Sequence, residues 1–172
     1  MAEYTKGVVL IDLENNSGWG DTLLPASISV LRPFDLPGPT TAGQIGDALA
    51  RHLEAEVKPF IIEVAPEKPR EENEYMIPGR ELLSAALMGL HLDIWKVVRS
   101  ISPTSVKLDQ AGDNYVPTVH RRGLRAFRKN RFEVQNVSFA YAHGQTGEED
   151  VIWESEHVRM FEFRRGDDQN AS

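Results

Sequence analysis

Arg121, Arg122, Arg125, Arg128, Lys129 and Arg131 fall within one short stretch, HRRGLRAFRKNR, with no acid between Asp113 and Glu133. Six of the chain's 19 lysines and arginines stand there, although the whole chain carries a formal net charge of −7. Guanidinium groups bind phosphates bidentately, whether on RNA or on a lipid headgroup. A basic stretch beside an anionic membrane gains roughly 1 kcal/mol per residue near the surface. Leu124 and Phe127 give it an apolar component. These six residues are the expected site for an anionic partner: RNA or nucleoprotein, membrane, or an acidic surface on another copy. The run Glu67, Glu71, Glu72, Glu74 is opposite in sign and reads as a solvated linker that offers acid-to-base self-contact.

The other chemistry-bearing residues are scattered. The five histidines, His52, His91, His120, His143 and His157, show no H-E-x-x-H spacing and read as surface residues. No phosphate-binding glycine loop and no Gly-x-Ser-x-Gly elbow occurs. With no cysteine there is no disulfide, thiolate nucleophile or Cys-ligated zinc. Neither a cofactor, a metal site nor a small-molecule substrate is expected.

The elements that must position these residues centre on 77–99, IPGRELLSAALMGLHLDIWKVVR, the longest apolar run. Pro78 suits a first helical position. At 3.6 residues per turn Leu83, Ala86, Leu87, Leu90, Ile94 and Val97 share a core face. A second stripe, Met88, Leu92 and Trp95 with Arg99 beside it, is a candidate self-association surface. Gly89 leaves two readings open. One is a helix through Val98; the other is a helix, then glycine, then a strand in which Leu90, Leu92 and Ile94 alternate.

Along the chain, GVVLIDL (7–13) reads as a buried strand, and 23–31 as a second strand after a turn cluster. Pro33, Pro37 and Pro39 mark an extended link. The capping-box pattern Thr41-Ala42-Gly43-Gln44 opens a helix over 41–56 with Ile45, Ala48, Leu49 and Leu53 inward. A strand at 58–64 and the polar stretch 66–75 follow. Ser105–Asp109 and Tyr115–Val119 read as short strands. Finally 131–142, with a parity switch near Asn136, and 151–163 form a long C-terminal hairpin, with Trp153, Phe161 and Phe163 on one parity. The expected fold is α+β: a mainly antiparallel sheet, two helices (41–56 and 78–98), and a single domain over 1–165 with a polar tail at 166–172.

That order of elements resembles the globular domain of rhabdovirus-type matrix proteins. The strand SISVLRPF leads through prolines into the helix TAGQIGDALARHL; a long apolar helix, a basic stretch and a final hairpin follow. The resemblance implies a non-enzymatic, self-associating structural protein bridging nucleocapsid and membrane. With no signal peptide and no apolar span of bilayer length, an intracellular place is expected.

Two rivals stand beside it. The strand end Asp12-Leu13-Glu14-Asn15 resembles the metal-binding opening of NYN/PIN-like nucleases, and Gly112-Asp113-Asn114-Tyr115-Val116-Pro117 is similar to their later acidic motif. That resemblance implies Asp12, Asp93, Asp109 and Asp113 converging on a divalent metal, within a parallel α/β fold unlike the hairpins read above. The second rival is a small soluble regulatory or inhibitory protein.

Overall fold

The computed structural model describes residues 3–12, 27–62, 69–71, 74–76, 85–108, 111–115, 118–120, 132–145, 153 and 157–164. They form the α+β fold that the pattern predicts. The elements are β1 (Glu3–Asp12), β2 (Ser27–Leu36), α1 (Pro39–Glu56), β3 (Phe60–Ile62), β4 (Pro69–Glu71), β5 (Glu74–Met76), α2 (Ala85–Ile101), a 3-10 turn (Gly112–Asn114), β6 (Thr118–His120), β7 (Phe132–Val134), β8 (Asn136–Gln145) and β9 (Val158–Glu162). Seven strands make one sheet in the order β4-β5-β6-β2-β1-β8-β9, while β3 and β7 pair separately. The paired strands run antiparallel.

The β-branched run of β1 places it in the interior of the sheet, between β2 and β8. Its alternation sorts the sheet into two faces. Val9 and Ile11 join Ile28, Phe139 and the helices in the main core; Val8 and Leu10 pack with Ala140, Ala142 and Trp153 in a second cluster. Both helices therefore cover one face. α1 buries Ala42, Ile45, Gly46, Leu49 and Leu53; α2 buries Leu87, Leu90, His91, Ile94 and Val98.

Several boundaries differ from the sequence reading, each for a physical reason. α1 starts at Pro39 with Gly38 as N-cap and no side-chain cap bond, so Thr41 lies inside the helix and its capping box does not form. Proline at the first helical position has no N–H to leave unpaired. α2 is helical through Gly89 to Ile101, which decides against the strand alternative; residues 77–84 lie outside the described residues. Glycine costs about 1 kcal/mol against alanine there, and the buried leucines and isoleucine on either side offset it. Ala86 is exposed and Val97 only half-buried, while His91 and Val98 complete the core face instead.

The prolines do not end β2. Pro33 sits where the β1 ladder shifts register between Gly7 and Val9, so its missing N–H falls at an interruption. The glutamate-rich stretch is not simply a loop, because β4 and β5 pair with each other and β5 with β6. Charged residues and proline are common on sheet edges, where they discourage pairing with other chains. Residues 105–108 form no strand, with a bend at 105–106 and a 3-10 turn beginning at 108, and the return strand is Thr118–His120.

The parity switch near Asn136 is a change of sheet. β7 pairs with β3, the chain breaks at Gln135, and β8 joins β1 and β9. Gln135 stays fastened, its carbonyl accepting from the Phe163 N–H at 2.9 Å. The C-terminal hairpin is the β8–β9 pair. Trp153 packs on the opposite face from Phe161 and Phe163, since it lies outside β9 and does not follow that strand's alternation. No helix among the described residues is long and apolar enough to cross a membrane.

Gly7 has no room for a side chain. A Cβ there would stand 2.9 Å from Phe34 Cζ and 3.0 Å from Leu36 Cδ1, both in buried side chains. Gly7→Ala is expected to destabilise the fold by about 1–3 kcal/mol through overpacking, read as a lower urea midpoint with an unchanged slope.

Candidate functional site

The seven strands divide into two halves that meet at a narrow seam. Among the described residues β6 joins β2 through a single register pair, Ile28 with Val119. By contrast, β1 is laddered to β8 over eight residues from Glu3 to Leu10. Next to Ile28, side chains take up the backbone acceptors of β2. Tyr115 Oη donates to the Ser29 carbonyl at 2.7 Å, and His91 Nδ1 donates to the Val30 carbonyl at 2.8 Å. Val30 is the extra residue where the β1–β2 register shifts between Val9 and Leu10. A bulge leaves one residue outside the ladder, and its buried carbonyl needs a partner from elsewhere.

His91 is fully buried and both ring nitrogens are engaged. Nε2 accepts the Gly112 N–H at 3.0 Å. Since Nε2 accepts, Nδ1 carries the proton, and the neutral tautomer follows from the two partners. The ring is stacked on Tyr115 at 4.0 Å and 5°. Trp95 lies parallel at 6.3 Å, and the Arg99 guanidinium covers Trp95 at 4.3 Å. His91, Trp95 and Arg99 are four residues apart, hence on one helical face. Gly112 adopts φ 61°, a left-handed conformation that costs other residues roughly 1–2 kcal/mol. Burial holds the His91 imidazole below its ordinary pKa, against a smaller opposing effect of the Val30 carbonyl. Burial likewise pushes the Tyr115 phenol well above its usual range. The reading of the histidines as surface groups fails at His91, which is a core residue satisfied on both sides.

The other face of the central strands, away from the helices, is polar at this end. Register pairs Asp12 with Ser27, and sets Leu10 between Ser29 and Ser138. All four polar side chains are buried. Ser138 Oγ has no hydrogen-bond partner among the described residues, and an unsatisfied buried hydroxyl carries a cost of about 1–3 kcal/mol. On the neighbouring half, β6 carries Thr118 and His120 on either side of Val119, and the β5–β6 register sets Glu74 opposite His120. Register thus sets Ser27 and Ser29 on either side of Ile28, the β2 partner of Val119, with Asp12 one strand further on in β1 and Ser138 two strands further on in β8.

The expected site residues fare unevenly. The basic segment, Arg121, Arg122, Arg125, Arg128, Lys129 and Arg131, lies outside the described residues, as does Asp109; the segment begins where β6 ends and stops where β7 starts. Asp12 and Asp93 are not brought together. Asp12 shares the parity of Leu10 on the helix-free face, while Asp93 sits on α2 and faces His52 of α1 at 3.4 Å, a pairing distance without hydrogen-bond geometry. Asp113 is exposed on the 3-10 turn. Among the described residues no three metal-ligating side chains converge. In the stripe proposed for self-association, Leu92 is 41% exposed, while Met88 and Trp95 are half-buried. Sequence reasoning passed over Ser27, Ser29, Ser138, Tyr115 and the His91 hub. The spacing of His91, Trp95 and Arg99 was the available signal.

His91→Phe keeps a stacking ring but orphans the Val30 carbonyl and the Gly112 N–H. The expected loss is about 2–6 kcal/mol, taking roughly 1–3 for each group left unpaired, measured by urea unfolding at pH 7.5. The pH dependence has a fixed sign. A depressed folded pKa means that the unfolded state binds more protons, so the stability is present above the ordinary histidine pKa of 6.5 and is lost as pH falls through the lowered folded value. In His91→Phe that contribution to the stability profile should be missing.

No family model and no curated protein matches the chain. Among solved structures, one described as a crystal structure of phosphoesterase is similar with a TM-score of 0.60, covering 94% of this chain and 99% of that chain at 8% identity. At that identity the likeness is one of fold, and it extends over nearly the whole of both chains.

Proposed function

We propose that this chain is a phosphoesterase-type protein that engages phosphate esters of nucleotides or RNA on the helix-free face of the β6–β2 seam. The observation that carries the reading is the polar run on that face, Ser27 and Ser29 of β2 at the seam with Asp12 of β1 and Ser138 of β8 extending it away from β6. The nearly full-length fold likeness to a phosphoesterase supports the class, by analogy of fold. His120 opposite Glu74 supplies the residue types of an acid–base pair. The basic segment runs on directly from His120, so Arg121 and Arg122 are the nearest phosphate clamps in the sequence. The anionic partner expected at the six basic residues is, in this proposal, the phosphate itself. The proposal keeps the chain inside the cell, where such esters are abundant.

Incubation of the purified chain with bis-p-nitrophenyl phosphate and with a short RNA oligonucleotide tests it. Cleavage is expected to fall roughly 10²–10⁴-fold in His120→Ala, the usual worth of one acid–base group. RNA binding is expected to weaken with salt and in Arg121→Ala with Arg122→Ala. Absence of both binding and cleavage would contradict the proposal. Cleavage abolished by a chelator and by Asp12→Ala, and kept in His120→Ala, would favour the metal-dependent nuclease reading instead.

One observation favours a second reading, the self-associating structural protein similar to matrix proteins. Leu92 and Leu108 are large apolar side chains left 41% and 72% exposed. This reading expects concentration-dependent oligomers in sedimentation, reduced by Leu92→Glu; a monomer at all concentrations counts against it.

A further inference from the structure

We propose that His91 is an acid-sensitive latch on the β6–β2 seam: a proton added to Nε2 expels the Gly112 N–H, frees the 111–115 turn and withdraws Tyr115 from β2. The geometry leaves little alternative. Nε2 is the acceptor for Gly112, so the proton takes the lone pair that the amide was using, and two N–H groups then face each other at a separation set by a 3.0 Å bond. Nδ1 keeps its bond to Val30, which anchors the ring to β2 while the turn is pushed off. Among the described residues the turn's other backbone and amide bonds are short-range, Asn114 N–H to Ala111 O at 3.2 Å, Tyr115 N–H to Gly112 O at 3.0 Å, and Asn114 Nδ2 to Leu108 O at 2.9 Å. Beyond the Gly112 bond, packing is what ties it to α2, through the Tyr115 ring on His91 and Ala111 in the core. Tyr115 follows directly, and its hydroxyl is the seam's second bond, at the Ser29 carbonyl.

The surrounding charges act in the same direction. On α2, Arg99 places a cation over Trp95, behind the imidazole. Asp93 on the same helix is directed to His52 of α1 and not to His91. From the turn, Tyr115 presents a phenol kept neutral by burial, and Asp113 is exposed. β2 presents the Val30 carbonyl. An imidazolium here gains no carboxylate partner among these groups, so its proton is accommodated by opening the turn and not by pairing within it.

The opening itself is independent of the proposed function. Only its consequence, loss of phosphate-ester binding in acid as β2 loosens behind Ser27 and Ser29, rests on that reading. Two measurements on the full chain separate them. First, the His91 ring nitrogens and the Gly112 amide are followed by NMR from pH 7.5 to pH 5. The expected result is titration of His91 below 6.5, with the Gly112 protection factor, corrected for intrinsic exchange, falling at least tenfold at the same midpoint. In His91→Gln, whose amide does not titrate, Gly112 protection should be level across the range. If that variant does not fold, Tyr115→Phe serves: it keeps the stack, and the Gly112 response should persist. Constant Gly112 protection while His91 titrates would overturn the latch, as would a His91 that takes no proton until the whole chain unfolds. Second, RNA oligonucleotide binding is measured over the same range. Affinity is expected to fall at least tenfold with the His91 midpoint. A Gly112 response with no binding at any pH leaves the latch standing and removes the function; binding with no Gly112 response does the reverse.

Discussion

Two hydrogen bonds from side chains to consecutive carbonyls of one strand fasten α2 and the 111–115 turn to β2, beside its pair with β6. Where the β6–β2 ladder provides a single register pair among the described residues, Tyr115 and His91 fasten Ser29 and Val30 from the helix side. Each bond is modest in net worth, about 1 kcal/mol, but each also satisfies a buried group that is costly to leave bare. The two rings are stacked on one another, so displacing either disturbs both. α2 is therefore more than a cover for the apolar face. It supplies the imidazole that closes the bulge at Val30, and through Gly112 it fixes the turn that delivers Tyr115.

This arrangement separates an apolar face from a polar one. The helix-facing side holds aliphatic core and the His91 hub; the opposite side of the same strands carries Asp12, Ser27, Ser29 and Ser138. Because side chains alternate along a strand, fixing the backbone at residues 29 and 30 also fixes the direction of the seam's hydroxyls. It also explains why the carboxylates Asp12, Asp93 and Asp113 do not share a metal site: they belong to different sides of the sheet or to its exposed margin.

Much of the fold was legible because it rests on local periodicity. The β-branched run at β1, the apolar stripes of α1 and α2 and the final hairpin all follow from residue spacing. The failures share a different origin. β4 and β5 have edge-strand composition, and their strand character comes from backbone pairing with β6, which composition does not encode. Pro33 reads as a breaker, yet a register shift elsewhere in the ladder admits it. The parity switch at Asn136 was visible, but not that it marks a strand passing from one sheet to another. His91 reads as a surface residue because its acceptor lies 61 residues away in sequence and its donor 21. A buried polar hub of this kind is a tertiary fact. Only its helical spacing with Trp95 and Arg99 leaves a trace in the sequence.

The dependence of the seam on a coupled pair is tested most directly by a double-mutant cycle on His91→Phe and Tyr115→Phe, with unfolding free energies measured in urea at pH 7.5. If the two side chains hold the seam as one unit, the interaction energy should be about 1–3 kcal/mol, within the range of groups sharing one network. Losses that add to within about 0.3 kcal/mol, as they do for independent sites, would contradict the account.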